Sequence, residues 1–146
     1  MCIRDRYVAD AAIKKMIEAG QAPRNSKVVI LGLTFKENCP DTRNSKVDDI
    51  IKRLNEFGIE PVVVDPWASE RDALHEYGVT LTRLEDVHDV DCVIVAVAHD
   101  EFKKLSLEDL NLMYREMPDE KKVLIDVKGL LDIKTVEKQG FRLWRL

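Results

Sequence analysis

The sequence predicts a doubly wound α/β domain on a mostly parallel sheet of five to six strands. Three observations carry this. Short apolar runs alternate along the chain with stretches of helical period. The runs are continuous rather than alternating, as in strands covered on both faces. Polar loops follow the runs, at the strand ends where such sheets present themselves to ligands.

The elements follow in order. Residues 7–19 read as a helix, with Val8, Ala12 and Met16 in one i, i+4 series, Ile13 and Ile17 in a second, and Gly20 as the stop. A linker carrying Pro23, Asn25 and Ser26 leads into the first strand, 27–31. Residues 32–45 form a long polar loop. Val47, Ile50, Ile51, Leu54 and Phe57 then make an amphipathic helix closed by Gly58. Residues 61–65 are the second strand and 69–77 a short helix stopped by Gly78. Val79 and Leu81 form a short strand or extended link, and 84–87 a helical turn. Residues 91–97 are the most apolar strand, followed by helical segments at 100–103 and 106–114. A strand at 122–126, a helix at 135–139 and an edge strand at 141–145 complete the chain. The first helix lies outside the alternation and reads as the end of something longer. The expected division is 1–22 for that helix and 23–146 for the α/β domain.

Composition bounds the function. The 146 residues suit one domain, and 45% hydrophobic with 34% charged residues is a soluble globular balance. The apolar run 92–98 falls far short of the roughly 20 residues a membrane span needs. The first residues lack a secretory core, so a cytoplasmic protein is expected. A net charge of -4 argues against nucleic-acid binding, but a local patch could still hold a small phosphorylated ligand. Cys2, Cys39 and Cys92 have neither metal-like nor disulfide-like spacing. Cys92 reads as core and Cys39 as a free thiol. His75 and His88 have no metal partner at workable spacing.

The first loop, Gly-Leu-Thr-Phe-Lys-Glu-Asn-Cys-Pro-Asp-Thr-Arg-Asn-Ser at 32–45, is the richest segment. It is neither Gly-x-Gly-x-x-Gly nor a Walker loop. It does place Lys36 and Arg43 ahead of a helix N-terminus, where amides, dipole and cations together favour a phosphate. Ser45 with Asp48 resembles a helix cap. A solvated loop before a capped helix is the competing reading. Asp65 has two readings as well, a ribose-binding acid or strand-to-turn punctuation before Pro66. Trp67 either stacks on a base or covers the sheet edge. His99 reads as a hydrogen-bonded loop residue, with a ligand or interface role second. Lys128, at the end of the fifth run, meets an anion or is an exposed lysine.

The segment 28–45, with Val64-Asp65-Pro66 and Asp126-Val127-Lys128-Gly129 after it, resembles the C-terminal domain of the UDP-glucose/GDP-mannose dehydrogenase family. That family carries Gly-x-x-Phe-Lys…Asp-x-Arg-x-Ser at this place. The Phe-Lys-Glu-Asn-Cys-Pro-Asp-x-Arg-Asn-Ser form, with Ala98-His99, is more similar to the branch acting on UDP-N-acetylhexosamines than to UDP-glucose dehydrogenases, which stand as the alternative. The resemblance implies a Rossmann-like domain of an enzyme that oxidises C6 of a UDP-sugar from alcohol to carboxylate with two NAD+. It implies that Phe35, Lys36 and the loop up to Thr42 bind the UDP-sugar and that Arg43 reaches the NAD. Lys128 stands where the family usually carries an arginine; it keeps the charge and loses the bidentate fork. The first helix corresponds to the tail of the family's linking and dimerisation helix, implying a homodimer. Residues 1–6 match nothing in the family and read as an artificial or mis-called start. The family's NAD-binding fingerprint and its Gly-x-Gly-Gly-x-Cys nucleophile segment have no counterpart in these 146 residues, so the chain by itself is expected not to catalyse oxidation.

Two other function classes compete. A receiver module needs an acidic pair after its first strand, where Leu33 and Thr34 stand. A purely structural oligomerisation domain needs no ligand loop at all.

Overall fold

The computed structural model describes residues 3–146, and side-chain surroundings from Arg6 onward. Met1 and Cys2, and with them part of the expectation for residues 1–6, lie outside the described residues. The sheet has five strands, all parallel: β1 (Val28–Leu31), β2 (Val62–Val64), β3 (Cys92–Val95), β4 (Val123–Asp126) and β5 (Arg142–Arg145). Their spatial order is β2-β1-β3-β4-β5. The expected sixth strand reduces to a single parallel bridge, Val63 with Leu81.

Alternate residues of each central strand feed opposite faces of the sheet. Val28, Ile30, Cys92, Ile94, Val123 and Ile125 join one core. Val29, Leu31, Val93, Val95 and Leu124 join the other. All four residues of β1, β3 and β4 are buried, which is why those strands are apolar except for Asp126 at the end of β4. The first core is covered by α1 (Ile3–Glu18) and α2 (Val47–Glu56), the second by α4 (Asp100–Lys103), α5 (Leu107–Met113) and α6 (Ile133–Gln139). Helix α3 (Glu70–Tyr77) puts Ala73 against the first core.

Helix α2 forms because its apolar residues fall on one stripe, and Val47, Ile50, Ile51 and Leu54 are all buried. Each contributes roughly 2 kcal/mol by burial. The expected Ser45–Asp48 cap is not what starts this helix. The capping position is Lys46, which makes no side-chain cap. Ser45 Oγ instead donates to the Leu33 carbonyl at 2.5 Å and accepts the Val47 amide at 3.2 Å. The serine ties the loop to the end of β1, while Asp48 pairs with Lys52 at 2.8 Å.

Helix α1 packs within the same core as the sheet, through Val8, Ala9, Ala12, Ile13 and Met16. Ile17 departs from the expected stripe and is 59% exposed. A four-residue step over-rotates a helix by about 40°, so an i, i+4 series drifts off the buried face.

Candidate functional site

Strand order reverses between β1 and β3, neighbours in the sheet although β2 separates them in the chain. A crevice is expected outside the carboxyl ends at such a point. A cleft of about 230 Å³ lies there. Thr34, Phe35 and Lys36 line it from the loop after β1, Val97 from the loop after β3, and Lys128 from the loop after β4. Lys46, at the start of α2, completes it. Among the described residues, three lysines and no acidic residue thus line one cleft, in a chain of net charge -4. A larger groove of about 630 Å³ runs along the β2 edge between α2 and α3 and carries Glu60. It lies away from the carboxyl ends of the strands.

The turn into the cleft depends on Gly32. Its φ is 111°, in the left-handed half of the map, and a Cβ there would lie 2.5 Å from Val97 Cβ. Glycine lets the end of β1 meet the end of β3.

Beyond Gly32 the loop is held by a buried carboxylate. Asp65 Oδ2 accepts the amides of Leu33 at 2.6 Å and Thr34 at 2.9 Å, and lies 3.0 Å from His99 Nε2. Its Oδ1 accepts the amides of Trp67 at 2.8 Å and Ala68 at 3.0 Å. Burial alone would raise the Asp65 pKa; the hydrogen bonds from His99, Leu33 and Thr34 outweigh it and hold the carboxyl below its ordinary value. Both oxygens are engaged within the fold, so of the two readings of Asp65 the structure displays the turn-fixing one. Asp126 does the same for the loop carrying Lys128, accepting the amides of Leu130 at 3.0 Å and Leu131 at 2.9 Å.

The loop itself is a compact turn. The Phe35 amide donates to the Asp41 carbonyl at 2.8 Å. Phe35 is 53% exposed, an apolar ring at the cleft. Trp67 stacks on the His99 ring, with centroids 6.2 Å apart, and its Nε1 donates to Glu101 at 3.0 Å.

Of the residues singled out in the sequence, the structure brings Phe35, Lys36 and Lys128 together. Thr42 is not among them. It is buried, its hydroxyl donates to Glu76 at 2.8 Å, and its carbonyl accepts the Tyr77 hydroxyl. Thr42 fastens the loop to α3. Arg43 stands exposed, with its amide and Nε each 2.9–3.0 Å from Asp41 Oδ1. That pairing lowers the Asp41 pKa and raises that of Arg43.

Sequence reasoning missed Lys46. A lysine at a helix start opposes the helix dipole, and that conflict was the available signal. It also missed Asp126 as a loop anchor, and Asn38, whose positive φ of 54° turns the loop back. Cys92 is fully buried, and burial pushes its thiol far above the usual range. Among the described residues no His, Cys, Asp and Glu group could hold a metal, and no helix is long and apolar enough to cross a membrane.

Residues 29–133 match the model of the UDP-glucose/GDP-mannose dehydrogenase family, UDP binding domain. The chain is 43% identical over 126 residues to a UDP-N-acetyl-D-glucosamine 6-dehydrogenase of Pseudomonas aeruginosa, a match covering 86% of this chain and 29% of that protein. It is 31% identical over 121 residues to a UDP-N-acetyl-D-mannosamine dehydrogenase of Methanocaldococcus jannaschii, covering 82% of this chain and 26% of that protein. The chain therefore spans less than a third of the length of either relative. Among solved structures, the UDP-N-acetyl-mannosamine dehydrogenase Cap5O of Staphylococcus aureus superposes with a TM-score of 0.66 at 26% identity, over 97% of this chain and 29% of that one. An NDP-N-acetyl-D-galactosaminuronic acid dehydrogenase of Methanosarcina mazei Go1 superposes with a TM-score of 0.82 over 97% of this chain and 28% of that one; at 19% identity it speaks for the fold alone.

Proposed function

We propose, from the premise that this chain belongs to the UDP-glucose/GDP-mannose dehydrogenase family and carries its UDP-binding domain, that the cleft at the ends of β1, β3 and β4 binds the nucleotide of a UDP-N-acetylhexosamine. The observation that carries this is the charge of the cleft, lined among the described residues by three lysines and no acid. A diphosphate supplies the anion such a site stabilises. Lys36 and Lys128 approach from opposite loops and suit its oxygens, while Phe35 offers the nucleoside or sugar an apolar ring. The hexosamine branch is supported by the names of the relatives from Pseudomonas aeruginosa and Methanocaldococcus jannaschii.

The activity we assign to the whole protein is NAD-dependent oxidation of the sugar's C6 alcohol to a carboxylate, in the cytoplasm. The part of this chain is to hold the sugar nucleotide. NAD, when bound, accepts hydride. Arg43 is the residue here that would touch it, as an exposed guanidinium oriented by Asp41. We also assign a homodimeric whole protein joined along the helix that α1 belongs to. Its support is Ile17, an apolar side chain more than half exposed on α1.

Lys36→Ala tests the binding role. Losing a charged hydrogen bond to phosphate should weaken UDP binding by ~1.5–3 kcal/mol, a factor of about ten to a hundred. Because Lys36 is exposed, the melting temperature should not move. Calorimetric titration with UDP reads the first and thermal unfolding the second. Equal affinity in both proteins would refute the role of Lys36.

A further inference from the structure

We infer that His99 is the positioning residue of the nucleotide loop: anchored by Asp65, its ring grips residues 34–38 at both ends and presents Phe35 and Lys36 to the cleft. The inference rests on the reading of residues 32–45 as the ligand loop.

His99 is fully buried, and both ring nitrogens are used. Nδ1 accepts the Asn38 amide at 2.9 Å, so it carries no proton. The ring proton sits on Nε2, which lies 3.0 Å from Asp65 Oδ2 and 3.0 Å from Thr34 Oγ1. The Thr34 hydroxyl donates to the Lys36 carbonyl at 3.1 Å, so toward the ring it acts as an acceptor. Trp67 and Phe102 pack against the ring, at centroid distances of 6.2 and 5.5 Å, and keep it from turning.

Between the two grips the segment is otherwise held by the Phe35 amide on the Asp41 carbonyl and the Thr34 hydroxyl on the Lys36 carbonyl. Residues 35–38 are all exposed. Asn38 adopts a φ of 54°, which a residue with a side chain takes only at a cost. Its amide is the group His99 captures, and its Oδ1 accepts the Asp100 amide at 3.0 Å. An apolar residue of equal volume would fill the same space. It could not offer an acceptor to Asn38 and a donor to Asp65 from one rigid plane.

Two substitutions separate these arms. His99→Asn places an amide oxygen near the position of Nδ1 and keeps an acceptor for Asn38. His99→Gln reaches the position of Nε2 and keeps a donor for Asp65 while losing that acceptor. Hydrogen exchange at the Asn38 amide is measured by NMR on the full chain, with the β-ladder amides of Ile30 and Ile94 as the gauge of global stability. UDP affinity is measured by calorimetry on the same proteins. Asn38 should be protected in the wild type and in His99→Asn. In His99→Gln it should exchange at least about tenfold faster relative to the gauge, and UDP should bind about tenfold more weakly. Equal exchange in all three proteins overturns the inference, as does unchanged UDP affinity in His99→Gln once Asn38 is freed. The wild type gives a reading that needs no variant to fold: the nitrogen signal of an unprotonated Nδ1, and a scalar coupling across its bond to Asn38. A protonated Nδ1 overturns the assignment. A wild type that binds no UDP refutes the nucleotide reading, while Asn38 exchange still decides whether His99 tethers the loop.

Discussion

Asp65→Ala is expected to destabilise the fold by about 4 kcal/mol, because it strands the buried amides of Leu33 and Thr34 and removes the partner of His99. The Asp65 carboxylate takes four backbone amides, those of Leu33, Thr34, Trp67 and Ala68, in addition to His99 Nε2. The Leu33 and Thr34 bonds are buried. A buried unpaired donor costs about 1–3 kcal/mol, and the costs of neighbours do not simply add. For a domain of this size the loss lowers the melting temperature by roughly 10 °C. The effect also carries a pH signature. The folded pKa of Asp65 lies below its ordinary value of 3.8, so the folded state favours the carboxylate. The stabilisation is therefore complete above the unfolded pKa and is lost as pH falls through the lower, folded one. Urea unfolding of the two proteins should show a wide gap at pH 7 that narrows below about pH 4. A gap under about 1 kcal/mol at pH 7 would contradict the network described here.

Gly32→Ala is expected to be comparably severe, at about 3–5 kcal/mol, for a different reason. The backbone at 111° is strained for any side chain, and the added methyl would sit 2.5 Å from Val97 Cβ and 2.9 Å from the Val97 backbone nitrogen. A side chain can turn away, but that nitrogen cannot move freely, because it donates to the Leu31 carbonyl at 3.2 Å. The alanine must therefore push β1 and β3 apart at their carboxyl ends, where the cleft opens. Unfolding by urea reads the stability loss. In whatever fraction still folds, UDP binding should fall as well. A variant as stable as the wild type would show that the close approach of Gly32 to Val97 is not required.

Much of this was legible before any coordinates. The strands could be read because each central one is buried on both faces and so is apolar, save for Asp126 at the end of β4. Helix α2 could be read because four residues of one stripe all reach the core. The crevice could be placed because a parallel sheet has one functional end. What escaped was held by contacts between distant segments. His99 meets Asp65, Thr34 and Asn38 across separations of 34, 65 and 61 residues, and no local spacing displays that. Ser45 looked like a cap, and its Oγ does accept the Val47 amide, but its hydroxyl also ties the loop to the Leu33 carbonyl, and Lys46 takes the capping position. Thr42 sits within the motif, yet Glu76 and Tyr77 turn it toward α3. Motif membership says that a residue matters to the loop. It does not say whether the residue faces the ligand or braces the turn.

The expected place of a uridine diphosphate on this chain is the cleft at the carboxyl ends of β1, β3 and β4. Backbone NMR of the full chain during a UDP titration tests it most directly, because it shows binding and its location together. Shifts are expected to concentrate at Thr34, Phe35 and Lys36, at Lys46 and Val47, and at Val127 and Lys128. Little change is expected along the β2-edge groove at Gly58, Ile59 and Thr80. No shifts at millimolar UDP in a folded protein, or shifts centred on that groove, would contradict it.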